Sequence, residues 1–246
     1  MKWIVVFIII VLGRIIVLLK KKSIFVPRYY WNNKMQEIEA IAKKSNVTLV
    51  PIKKLISEKI LTFFDGHGSP AAENKGMGDY PYIRVKDIVN WDIYKDPTAK
   101  IPEKAYNELR NPAKNLEEND ILYVRRGSYR IGSVAIVSNY DLNVVLTREI
   151  LVMRLLQEQN KYNLTPYYLL YLLSTRIVQE QSKNKVLIET TLPNIADRWK
   201  ELKLPISNDI EERIKISKQI EDIVHLKRES VYKILDLEKI MGCLNT

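Results

Sequence analysis

The sequence is poor in the residues that mark many enzyme and scaffold classes. One cysteine, Cys243, sits near the end of the 246-residue chain. That excludes a disulfide framework and any cysteine-based zinc site, and it makes a reducing cytosol the simplest compartment. The two histidines, His67 and His225, lie far apart, so no histidine-rich metal site is legible; no metal, no cofactor and no catalytic residues are expected. The apolar N-terminus lacks a small-residue cleavage site, which argues against a signal peptide. Positive charge is plentiful, +10 overall, but unevenly placed. Residues 1–60 hold 12 Lys/Arg against 3 Asp/Glu, leaving 27 against 26 for everything after. Any basic surface on the main domain must therefore be a local patch.

The opening "MKWIVVFIIIVLGRIIVLLKKK" has 17 largely apolar residues from Trp3 to Leu19, broken by Gly13 and Arg14. Spanning a bilayer core takes about 20 apolar residues, and an arginine near the middle costs about 2.5 to 3.5 kcal/mol on insertion scales. The Ile and Val content equally suits a buried strand. For residues 1–22 an anchor, a buried strand and a remnant of a longer gene all stay open. Residues 23–46 read as a basic helical lead-in, with Met35, Ile38, Ile41 and Ala42 at helical spacing.

"VTLVPIKKLI" reads as a strand entering a short helix at Pro51, and "FFDGHGSPAAENKGMGDYP" as a long loop. Short apolar runs follow, "YIRVKDIV", "DILYVRRG", "GSVAIVS" and "NVVLTREILVMRL", which predict strands. On the first of these, Arg84 and Lys86 would share one face. "TPYYLLYLLSTRIVQEQS" then switches to a period of 3.6, with Thr165 as N-cap and Pro166 at the first helical position. The fold class is α+β: a β-rich domain with packed helices, residues 47–207, followed by one long helix of coiled-coil type, 208–243.

From Asp209 to Met241 there is no Pro or Gly, and Ile216, Ile220, Ile223, Val224, Val231, Ile234 and Met241 recur on one stripe. Such a helix is about 45 to 50 Å long, more than a domain of this size can cover. It either folds back on its own domain or forms a seam with a second chain.

Five stretches in order, "YPYIRVKDI" (80–88), "NLEENDILYVRRGS" (115–128), "RIGSVAIV" (130–137), "TPYYLLYLLST" (165–175) and "TTLPNIADRWKELKLPIS" (190–207), together with the long helix, resemble the target-recognition domain of type I restriction-modification specificity subunits. The resemblance covers roughly residues 47–241. It implies a DNA-binding, non-catalytic subunit that directs a methyltransferase, and through it a restriction subunit, to double-stranded DNA. The family pattern has two such domains and two such helices; this sequence has one of each, so two copies could rebuild the arrangement as a homodimer. Two alternatives stand beside it: the C-terminal recognition part of a fused N6-adenine DNA methyltransferase, and a membrane-anchored interaction protein.

DNA recognition needs cations for phosphates and bidentate donors for base edges. Arg125, Arg126, Ser128, Tyr129 and Arg130 supply both on one turn, where Gly127 and Gly132 permit a tight bend. Arg84, Lys86, His67 and Ser69 are further candidates; the bland reading of Arg84 is an ion pair with Asp87 or Asp120. Arg148 shares that ambiguity. Neither the "PPY" loop nor the glycine-rich cofactor turn of a methyltransferase occurs. A magnesium nuclease drawn from Asp65 and "ENK" at 73–75 would need a rigid strand pair, whereas these residues are read as loop.

Overall fold

The computed structural model describes residues 33–127, 129–186 and 193–244; the apolar segment 1–22 and Ser128 lie outside them. Helix α1 (Asn33–Lys44), strand β1 (Val47–Pro51), helix α2 (Ile52–Ser57) and strand β2 (Leu61–Asp65) come first. Strands β3 (Tyr80–Ile83), β4 (Ile88–Val89), β5 (Asp92–Ile93) and β6 (Lys100–Ile101) precede helix α3 (Glu103–Leu109). Then follow β7 (Ile121–Val124), β8 (Val134–Ile136), β9 (Val145–Leu146), β10 (Ile150–Leu155), α4 (Pro166–Ser174), α5 (Arg176–Asn184), β11 (Lys203–Ser207) and the long α6 (Ile210–Leu244).

The centre is an antiparallel sheet in the order β2–β10–β7–β8. Alternate residues of its inner strands serve two cores. Ile121, Tyr123, Leu151 and Met153 face α2, α4, α5 and Trp199, while Leu122, Val124, Ile150 and Val152 face β3 and β9. A sheet covered on both faces has no polar side, which is why "ILYV" and "ILVM" are unbroken apolar runs. Antiparallel pairing of β1 with β11 ties the start of the domain to its end.

Two expectations about local structure are corrected. "YIRVKDIV" is two short strands around a 3-10 turn, Val85–Asp87, because the Asp87 carboxylate accepts from both the backbone N–H of Arg84, at 2.8 Å, and its guanidinium. Arg84 and Lys86 therefore do not share a strand face. The helix expected across 166–182 is broken at Thr175, whose backbone is extended; Thr165 does cap it, accepting from the Tyr168 N–H at 3.0 Å. Helix α1 forms where the spacing of Met35, Ile38, Ile41 and Ala42 predicts it, with Ile38 and Ala42 buried and Ile41 exposed.

The long helix forms as the absence of Pro and Gly predicts, but the stripe divides. Ile220 and Val224 are buried in the domain's own core and Ile216 packs against it, so these three are no free seam. Ser217 shares a hydrogen bond with Thr165, 2.6 Å between hydroxyl oxygens. Further along, Arg228 donates to the Val137 carbonyl at 2.8 Å, and the Tyr232 ring lies tilted against that of Tyr140 with centroids 4.0 Å apart. Ile223, Val231 and Ile234 are exposed; the Met241 side chain is outside the described set.

Candidate nucleic-acid interface

Antiparallel order brings the end of β2, the end of β7 and the start of β10 to one end of the central sheet. Three candidate stretches meet there. The turn between β7 and β8 carries Arg125, Arg126, Tyr129 and Arg130; Ser128 is outside the described residues. Both stems of that turn are fastened. On one side Ile195 N–H donates to the Arg125 carbonyl at 3.1 Å and Gly127 N–H to the Pro193 carbonyl at 2.9 Å. On the other, the Gln179 amide of α5 donates to the Gly132 carbonyl at 2.8 Å. Gly132 has a φ of +95°, and a Cβ there would stand 2.8 Å from the Gln179 amide oxygen. The stem thus demands glycine twice over, for its backbone and for space.

With its stems held, the turn presents its side chains differently. Tyr129 is 87% exposed, and the Arg130 guanidinium lies over its ring, 5.3 Å from the centroid. Arg126 is exposed. Arg125 is mostly covered and ion-paired to Asp65 at 2.9 Å, its side chain 19% exposed. The turn therefore offers an aromatic–arginine platform and one outward arginine, backed by an arginine already committed to a carboxylate.

The second stretch is the 3-10 turn after β3. Arg84 spans Asp87 and Asp96, at 2.9 and 2.6 Å, the ion pair anticipated with Asp87; Asp120 instead takes Arg154 at 2.7 Å. Lys86 is exposed, with Asp96 at 3.4 Å. This turn reaches the first one through Val85, whose side chain would lie 3.5 Å from a Cβ on Gly127. Arg84 is thus a structural cation, and Lys86 is the more exposed of the two, with the looser contact to Asp96.

The third stretch is the loop after β2. Gly66 lies so close to the Thr147 carbonyl that no Cβ fits. The His67 Nδ1 accepts the backbone N–H of Leu146 at 3.0 Å. Burial pushes the imidazole pKa down to about 4, helped by the nearby positive charges of Lys114 and Arg110. His67 is therefore a neutral strut inside the loop. Ser69 is exposed and accepts from the Tyr82 hydroxyl at 3.2 Å.

The nuclease arrangement does not assemble: Asp65 ends a strand and is held by Arg125, while Glu73 lies in an exposed 3-10 turn. Among the described residues no three His, Cys, Asp or Glu side chains gather as metal ligands. No helix among them is long and apolar enough to cross a membrane. Sequence reasoning missed the clamp formed by Pro193 and Gln179, and also Arg110 and Lys114. The first depends on contacts distant in sequence; the second lay in "RNPAKN", a stretch with no periodicity to mark it.

No family model matches the sequence, and no curated protein matches it. Solved structures do. The S subunit of a type I restriction-modification system from M. genitalium is 18% identical, with a TM-score of 0.51 over 78% of this chain and 42% of that one. The HsdS subunit from Thermoanaerobacter tengcongensis is 15% identical, with a TM-score of 0.45 over 92% and 50% of the two chains. A structure described by the complex assembly and conformational transition of a type I restriction-modification system is 15% identical, with a TM-score of 0.46 over 95% and 55%. The chain spans less than half the length of the first of these and about half of the others. Its fold, a β-rich α+β domain continued by one long helix, is the fold found in a type I restriction-modification S subunit.

Proposed function

We propose that this chain is a non-catalytic DNA-recognition subunit of a type I restriction-modification system. Its β-rich domain binds double-stranded DNA at the end of the central sheet where Arg126, Tyr129 and Lys86 are exposed and Arg130 backs the Tyr129 ring. The far part of α6 docks a second helical partner, either a methyltransferase subunit, and through it a restriction subunit, or a second copy of this chain. The observation that carries the reading is the shared fold with the S subunit, supported by a projecting turn whose stems are fixed and whose tip is cationic and aromatic. The fold comparison lends nothing to a fused methyltransferase or a membrane-anchored protein.

Gel-shift titration of the full chain with duplex DNA tests it. Binding should weaken steeply with salt, because each phosphate contact releases counterions. Affinity unchanged from low to high salt, or methyl transfer by the chain alone, would overturn the reading.

A further inference from the structure

Arg110, Lys114 and Arg148 are separated in sequence, yet the fold sets them around Gly66, His67 and Gly68. The Lys114 ammonium donates to the Gly66 carbonyl at 3.3 Å. A Cβ on Gly68 would stand 3.0 Å from a Leu109 methyl carbon and 3.8 Å from the Arg148 Nε. Arg110 follows Leu109 directly; its guanidinium donates to the Tyr106 hydroxyl at 2.8 Å and to the Asn115 side-chain oxygen at 3.2 Å.

Among the described residues none of these three cations is ion-paired with a carboxylate, whereas Arg84, Arg125 and Arg154 each are. Neutral acceptors position Arg110 and Lys114 without cancelling their charge. Arg148 is exposed and, among the described residues, its side chain makes no hydrogen bond. It also joins the patch to the recognition turn, since its neighbour Glu149 accepts the Arg125 N–H on its carbonyl at 3.1 Å.

We infer that Arg110, Lys114 and Arg148 form a shelf for the phosphates of duplex DNA, extending the recognition turn along the backbone. The inference rests on the DNA-binding reading above and adds to it a division of labour: the shelf supplies sequence-independent affinity, and the turn supplies selection. A shelf of this kind suits a phosphodiester backbone because its donors come from separated segments and two of them, Arg110 and Arg148, are exposed.

The test uses the full chain and a duplex of random sequence. Each phosphate contact contributes about 0.9 to the slope of log affinity against log salt. Replacing all three cations with Gln should make that slope shallower by about two to three and weaken binding at low salt at least tenfold, with melting unchanged. If the triple variant melts lower, Arg148→Gln alone decides, with an expected loss of about one unit of slope. Wild-type binding with an unchanged slope in the variant overturns the shelf and leaves the DNA reading standing. A wild type that binds no duplex at any salt overturns the DNA reading first, and the shelf with it.

Discussion

At the scale of single residues, similar side chains have been given different work. Arg125 and Arg126 are neighbours in sequence, but the first closes an ion pair with Asp65 and the second is exposed. Arg126→Ala should therefore weaken DNA binding with no change in melting temperature. Arg125→Ala should lower both, since it also leaves Asp65 without its cation; equal melting for the two variants would contradict this division. His67 gives a pH signature. Its folded pKa of about 4 lies below the ordinary 6.5, so the unfolded chain takes up the proton first as pH falls. The stabilisation is complete above about pH 6.5 and is lost as pH drops toward 4, when protonation of Nδ1 would displace the Leu146 N–H. After allowance for partial exposure, the loss should be about 2 kcal/mol. Chemical denaturation of wild type and His67→Asn at pH 4 and 6.5 checks it: the wild type should lose more across that interval by that amount.

At the scale of elements, what was legible in the sequence was what is decided locally. The Thr165 cap with Pro166 behind it needs only its own turn, and it stands where the residues place it. The break at Thr175 was equally local but was overridden by the apolar period. The Ser174 hydroxyl donates to the Leu170 carbonyl and the Thr175 hydroxyl to the Leu172 carbonyl, at 2.8 and 2.7 Å, drawing backbone acceptors into side-chain bonds at the very point where the helix stops. The 3-10 turn at Val85–Asp87 is hidden by the alternation of apolar residues around it, and it is set by a carboxylate three residues from Arg84. The clamp on the recognition turn was beyond reach, because Gln179 and Pro193 are distant from Gly127 and Gly132 in sequence. Gly132→Ala probes that clamp. With φ at +95° and Gln179 in the way, the variant should lower stability by about 1 to 2 kcal/mol and weaken DNA binding further than the stability loss explains. Thr165→Ala, which also costs about 1 kcal/mol, should leave DNA binding intact and so serves as the control.

At the scale of the whole molecule, α6 is one element with two environments. Its 35 residues are about 50 Å long, and Tyr232, its ring 4.0 Å from that of Tyr140 and its hydroxyl 3.1 Å from Asn139, still touches the domain more than half-way along. Its length was readable from the absence of Pro and Gly, but the division was not, because the surfaces that cover Ile220, Val224 and Tyr232 come from elements far away in sequence. Ile234 and Leu237, beyond Tyr232, are 56% and 58% exposed, and apolar side chains repeated on a projecting helix favour a second helix laid against them. Substitutions on the two parts should therefore separate. Ile220→Asp buries a charge in the core and should destabilise the domain by at least ~3 kcal/mol, whatever its partner. Ile234→Asp combined with Leu237→Asp should leave melting and DNA affinity of the separated chain unchanged while abolishing self-association in sedimentation, or capture of a methyltransferase subunit. A wild-type chain that sediments as a monomer at high concentration and captures no methyltransferase would remove the docking role from this helix, and the DNA-binding role proposed for the other end of the domain would stand or fall separately.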